Sequence, residues 1–361
     1  MEFGLFLMGH HGCWDDAVFA EDHGFDSVGF VDSQLLGGET FACLALAAAA
    51  TKRVRLGTFL AIPRNRSAAV TAQGIATIAR LAPGRAYMAV GSGFTSRNVM
   101  GLPAIPADEL EQFASDCRAL LAGEEITVSD RGRVRPVRFR QEEGEYIDLS
   151  SQIPVYVAAD GPKGLQAAGA SGADGWVTTL QRSFMMSPNS VEVFSESLAS
   201  VKTAADRTGD DYFSALSTTC CVLRPGEKIT DQRVIDRVGP CAILPFHAAA
   251  DRPQIVDGFP PDWQDAYARY KSTVLDRFDP ERMHQEVHRG HLTHLLAGEA
   301  EILNEEIIRA TTLTGTANEI IDQLKALEDA GLRNLTINVP PRFTRDAVLE
   351  VEEHLMPSLQ S

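Results

Sequence analysis

Apolar residues along this chain follow two alternating rhythms. Short, nearly unbroken apolar runs occupy 2–7, 27–32, 54–63, 85–90, 154–159, 175–180, 214–223 and 332–339. Most of them end in glycine, proline or small polar residues. Between them lie stretches with apolar positions three and four apart, over 14–23, 40–50, 67–81, 108–122, 162–171, 191–207 and 345–355. Runs of the first kind suit strands buried on both faces, and the second spacing suits amphipathic helices. Strand and helix alternate nearly throughout, which predicts a parallel sheet.

Eight strands with a crossover after each predict an α/β fold of the (β/α)8 TIM-barrel type, as a single domain over 1–361. Two segments break the repeat. Residues 124–152, after strand 4, are polar and arginine-rich without helical period, and predict short strands or a hairpin over the barrel. Residues 225–310, after strand 7, are too long for one crossover and carry Pro260-Pro261, several aromatics and a run of histidines. Such an excursion reads as a lid. In a parallel barrel the ligand sits at the carboxyl ends of the strands.

Composition narrows the partners. The chain has 33 basic and 49 acidic residues, a net charge of −16. So acidic a surface repels phosphate backbones and anionic lipid, which argues against nucleic-acid or membrane partners. No apolar run reaches the roughly 18 residues of a spanning helix, and no signal sequence precedes the first strand, so a cytoplasmic location is expected. Cys13, Cys43, Cys117, Cys220, Cys221 and Cys241 lack metal-type spacing and read as reduced, mostly buried thiols. The adjacent Cys220 and Cys221 are expected to face opposite sides of a strand.

Candidate chemistry collects at the strand ends. Gly91-Ser92-Gly93 follows strand 4 and permits close backbone approach to a ligand. Ala159-Asp160-Gly161-Pro162-Lys163 closes strand 5 and opens a helix, whose free N–H groups and dipole suit a cofactor phosphate. Asp32-Ser33-Gln34 ends strand 2 at the barrel mouth. His284, His288, His291 and His294 are spaced so that one helical face carries all four. Histidines so spaced can chelate a metal, but no acidic or cysteine partner stands out and Gly290 interrupts the helix, so no metal is expected. The run reads either as a lid face or as cavity-lining proton donors, with His288 and His291 the candidates and His10-His11 in second place.

Taken together, 54–58 with 63–72, Leu81-Ala82-Pro83-Gly84-Arg85, 90–93 with Met100-Gly101-Leu102-Pro103, 154–176, and Thr314-Gly315-Thr316 through Ala330-Gly331 resemble the luciferase-like flavin-dependent oxidoreductases. Within that superfamily, which includes bacterial luciferase, the likeness is to the methylenetetrahydromethanopterin-reductase-like branch. The resemblance implies a flavin or deazaflavin lying across the strand ends. Its ring would rest on a bulge at Phe59, Leu60 and Ala61, with a non-proline cis peptide near Phe59-Leu60. Its phosphate would sit near Gly161-Pro162, and Gly91, Ser92, Gly93, Thr178 and Thr179 would border it. Two positions depart from the pattern: Ser33 stands where many F420-dependent members have histidine, and Phe94 where the sugar-phosphate dehydrogenases have an acid. Sugar-phosphate oxidation is therefore not expected.

The resemblance leaves three functions open. The leading expectation is a monooxygenase that uses reduced FMN from a separate reductase and acts on a small organic substrate through a C4a-peroxyflavin. Ser33, Gln34, Arg66, His288 and His291 would then contact substrate or supply protons. The alternative is F420-dependent hydride transfer, for which Lys163, Arg182 and Arg64 could grip a polyglutamate tail. The third is a non-catalytic flavin-binding protein. Homodimers are common in the superfamily and are expected here.

Overall fold

A computed structural model of the chain describes residues 1–141, 146–179, 185–186, 188–207, 209 and 212–360. Eight parallel strands close into a barrel: β1 (Glu2–Leu7), β2 (Ser27–Phe30), β3 (Arg55–Ala61), β4 (Ala86–Val90), β5 (Val155–Ala158), β6 (Gly175–Thr178), β7 (Phe213–Thr218) and β8 (Asn334–Ile337). Each pairs with its neighbours in sequence, and β1 closes on β8 with Gly4 opposite Thr336. These are the eight runs read from the sequence.

Alternation along the strands builds two cores. Phe3, Leu5, Val28, Phe30, Leu56, Met88, Val155 and Trp176 face outward and are buried beneath the helices. The inward positions of β3 to β7 carry Phe59, Tyr87, Ala89, Tyr156, Val177 and Ala215. Glycine makes room for the rings. A Cβ on Gly57 would lie 2.4 Å from the Tyr87 carbonyl oxygen and 2.6 Å from its ring. Tyr156 stacks on Phe213 with ring centroids 4.3 Å apart. The interior is thus a packed plug of side chains, with a cavity at the carboxyl ends of the strands.

Two features differ from the sequence reading. The run 214–223 is two strands: β7 leaves the barrel at Thr218, and Cys220–Val222 pairs in parallel with Leu313–Gly315 outside it. Cys220 accordingly joins the main core and Cys221 the lid core, both buried and free, on opposite faces as expected. The 124–152 segment does form a hairpin, Ile126–Asp130 with Arg133–Val137. It follows the helix Ala107–Leu121, as the sequence order implied, but that helix returns the chain to the amino end of the barrel, so the hairpin is largely exposed and away from the mouth rather than over it.

The long excursion is helical, with Gln232–Ala242, Leu244–Asp251, Pro261–Thr273 and Glu305–Thr311 as its main elements. It has a hydrophobic cluster of its own, centred on Val238, Phe246, Tyr270 and Ile308. Among the described residues no helix is long and apolar enough to cross a membrane.

Candidate active site

A cavity of about 1140 Å³ lies between the carboxyl ends of the strands and the lid. That exceeds the usual size of a site for one drug-sized ligand, leaving room for a cofactor and a substrate together.

One wall comes from β3 and β4. The β3 register slips between Thr58 and Ala61, and the Phe59-Leu60 peptide is cis, at the position the resemblance implied. Phe59 and Leu60 line the cavity, while Ala61 is buried and its carbonyl accepts from the Gly91 N–H at 3.0 Å. Gly91 has no side chain because Leu60 occupies that space. Gly93 takes φ 68° and turns the chain into the short helix Phe94–Asn98. Gly91, Ser92, Gly93 and Phe94 all line the cavity.

The opposite wall is the β5 and β6 ends. Ala159, Asp160, Gly161 and Thr179 line it. Asp160 ties the two strands: Oδ1 accepts from the Thr178 hydroxyl at 2.5 Å and the Thr179 N–H at 3.0 Å, and Oδ2 from the Thr179 hydroxyl at 2.7 Å. Thr178 is buried behind this wall, not in it. Gly161 caps the helix Pro162–Ala170 without a side-chain partner, and a Cβ placed there would meet nothing within 4 Å. Open space over the start of a helix, with Pro162 and exposed Lys163 in its first turn, suits an anion.

Asp32, Gln34 and Arg66 form a layer behind the mouth. Arg66 donates to Asp32 at 2.6 Å and also pairs with Glu39, so its charge is neutralised within the wall. The Gln34 amide donates to Asp32 at 2.7 Å and accepts from Asn65. Of this group named from the sequence, only Ser33 lines the cavity. Arg64 lies outside too, in an exposed bidentate pair with Glu109. Arg182 falls outside the described residues.

The lid supplies the polar end. The helix that begins at Met283 stops at Glu286, so the four spaced histidines do not share a face. His284 is half-buried and His294 exposed, whereas His288 and His291 are buried and line the cavity. They are joined by His247, which the sequence reading missed; the available signal was His247 and Asp251 one turn apart on one lid helix. His247 Nε2 lies 2.7 Å from Glu299 Oε1, and His288 Nε2 lies 2.8 Å from Asp251 Oδ2. Burial, reinforced by His288 and His247, holds His291 well below the ordinary imidazole value, so it is neutral at neutral pH. Arg252 lies over the Phe94 ring, 3.8 Å from its centroid, at the cavity edge. Cys241 also lines the cavity, but burial pushes its thiol up to about 12, so it is no nucleophile at neutral pH.

The wall fits a planar ring with a phosphate tail: a flat apolar face at Leu60 and Gly91, and an uncapped helix start with open space at Gly161.

Comparison with known proteins agrees. The family model described as luciferase-like monooxygenase matches residues 1–334. An F420-dependent glucose-6-phosphate dehydrogenase of Gordonia bronchialis is 27% identical over 355 residues, covering 95% of this chain and 92% of that protein. The solved F420-dependent tetrahydromethanopterin reductase of Methanopyrus kandleri superposes with a TM-score of 0.70 at 19% identity, covering 99% of this chain and 98% of that one. An F420-dependent secondary alcohol dehydrogenase, solved with an F420–acetone adduct, gives 0.62 at 20% identity, covering 100% and 99%. The two structures speak for the fold.

Proposed function

The chain belongs to the luciferase-like monooxygenase family, and from that premise we propose that it is an F420-dependent oxidoreductase moving hydride between the deazaflavin and a small organic substrate held under the lid. The observation that carries this reading is the near full-length likeness to an F420-dependent dehydrogenase, together with a cavity large enough for both molecules. It takes precedence over the reduced-FMN monooxygenase expected from the sequence, because several curated relatives are named as F420-dependent.

When bound, F420 supplies the hydride chemistry, and the protein supplies placement and a dry site. Leu60 and Gly91 would carry the ring, with Gly161 and the helix start behind it holding the phosphate. His288 and His291 would orient the substrate's polar atoms at the lid end. The substrate is not a sugar phosphate on this reading. By the family resemblance, Phe94, here stacked beneath Arg252, takes the place of the acid of those dehydrogenases, and cavity-lining Ser33 that of the histidine of many members.

The test is binding of F420 and of reduced FMN to the purified chain, with oxygen uptake followed in parallel. The expected result is tighter binding of F420, and F420-linked turnover of small alcohols or carbonyl compounds without oxygen consumption. Glucose 6-phosphate is expected to be inert. Preferential binding of reduced FMN with substrate-dependent oxygen uptake would restore the monooxygenase reading.

A further inference from the structure

We propose that His247, His288 and His291 form a divalent transition-metal site at the lid end of the cavity, with Zn²⁺ the best fit. The three rings come from two separate lid segments, yet one nitrogen of each lies within 4.8 Å of those of the other two. All three are more than nine-tenths buried, at 2%, 1% and 8% exposure. The Nδ1 atom of each has no hydrogen-bond partner.

The outer edges of two of the rings are occupied. Nε2 of His247 meets Glu299, whose Oε2 accepts from the Leu296 N–H at 2.7 Å and whose Oε1 lies 3.2 Å from the Tyr270 hydroxyl. Nε2 of His288 meets Asp251, which accepts from the Asn98 amide at 2.9 Å. A carboxylate accepts only, so it fixes the proton on Nε2 and leaves Nδ1 as a bare lone pair. Carboxylate–histidine pairs of this kind orient metal ligands and raise their basicity.

Unpaired acceptors in a buried pocket are costly unless something takes their lone pairs. Among the described residues His291 meets no carboxylate, so its neutral ring is free to take the tautomer with a bare Nδ1 as well. A cation with three open coordination positions meets all of them once the three nitrogens, now within 4.8 Å of one another, close to the spacing that Zn–N bonds of roughly 2.1 Å require. Imidazole suits zinc, copper, iron and nickel; three protein ligands with one open position is the arrangement of catalytic zinc. The open position faces the cavity, where it would hold water or a substrate oxygen.

The test uses the full chain, stripped with a chelator and then given Zn²⁺ alone, without F420 or substrate. Failure here therefore leaves the proposed cofactor untouched. One equivalent of Zn²⁺ is expected to survive dialysis and to raise the melting temperature, and Co²⁺ is expected to give a tetrahedral visible spectrum. His291→Ala should abolish retention. Asp251→Asn, which keeps the packing, should weaken affinity about 10- to 100-fold. His294→Ala, exposed and outside the cluster, should retain the full equivalent. The proposal is overturned if the folded wild-type chain retains no stoichiometric Zn²⁺, or if folded His291→Ala and Asp251→Asn retain it as wild type does.

Discussion

Leu60 and Gly91 meet side by side on the β3–β4 wall of the mouth, so closely that a Cβ on Gly91 would stand 2.5 Å from Leu60 Cδ1. The contact is with the far end of a flexible side chain, which can move into the cavity where the cofactor ring belongs. Gly91→Ala is therefore expected to leave the melting temperature nearly unchanged while weakening F420 binding about tenfold, roughly 1.4 kcal/mol. Fluorescence titration alongside a thermal melt separates the two effects. A variant that binds F420 as tightly as wild type would remove Leu60 and Gly91 from the ring site.

Gly57 presents the opposite case. Its missing Cβ would meet the Tyr87 carbonyl oxygen at 2.4 Å, and backbone in a closed barrel cannot step aside. Gly57→Ala should cost about 3 kcal/mol or more, through overpacking of the interior. The urea midpoint reports this directly, and a midpoint within error of wild type would mean that the interior is far softer than its packing implies.

The barrel was legible because its strands are buried on both faces, as β4 (Ala86–Val90) shows with five consecutive buried residues. Strand ends were legible for the same reason: Gly91 and Gly161 punctuate apolar runs, and punctuation survives without knowledge of tertiary structure. The lid histidines were only half legible. Spacing grouped His284 and His294 with His288 and His291, but a helix that ends at Glu286 cannot hold the four on one face. His247 belongs to the cluster through a contact between distant segments, and sequence periodicity carries no information about such a contact. The same limit hid the commitments of Arg66, whose charge is cancelled by Asp32 and Glu39 rather than offered to a ligand.

Asp160 couples the β5 and β6 ends through three hydrogen bonds to Thr178 and Thr179. Asp160→Ala would remove the acceptor of all three bonds from a partly buried wall, at a cost of about 1 to 3 kcal/mol. Because Thr179 lines the cavity, F420 affinity should fall together with stability. Asp160→Asn keeps one acceptor oxygen and should lie between Ala and wild type in both measurements. If the alanine variant loses stability but binds F420 normally, this wall holds the fold without touching the cofactor.

Glu21 governs an acid-sensitive joint at the other end of the barrel. Its carboxylate accepts the backbone N–H groups of Lys52, Arg53 and Val54, where the chain enters β3. Burial alone would raise this carboxyl, but the three backbone bonds and the nearby Arg53 charge outweigh it and hold it below the ordinary value. A carboxyl depressed in the folded state stabilises the fold above its unfolded pKa of about 4.3, and that contribution is lost as pH falls through the folded value. Wild-type stability should therefore drop between about pH 5 and the folded pKa, with the slope that one extra proton bound by the unfolded chain dictates. Glu21→Gln carries no titrating group at this site, so it should be less stable than wild type at pH 7, and the gap should narrow as pH falls. Urea midpoints for both proteins from pH 7 downward give the comparison. A gap that stays constant across that range would show that the carboxylate charge contributes nothing to the joint.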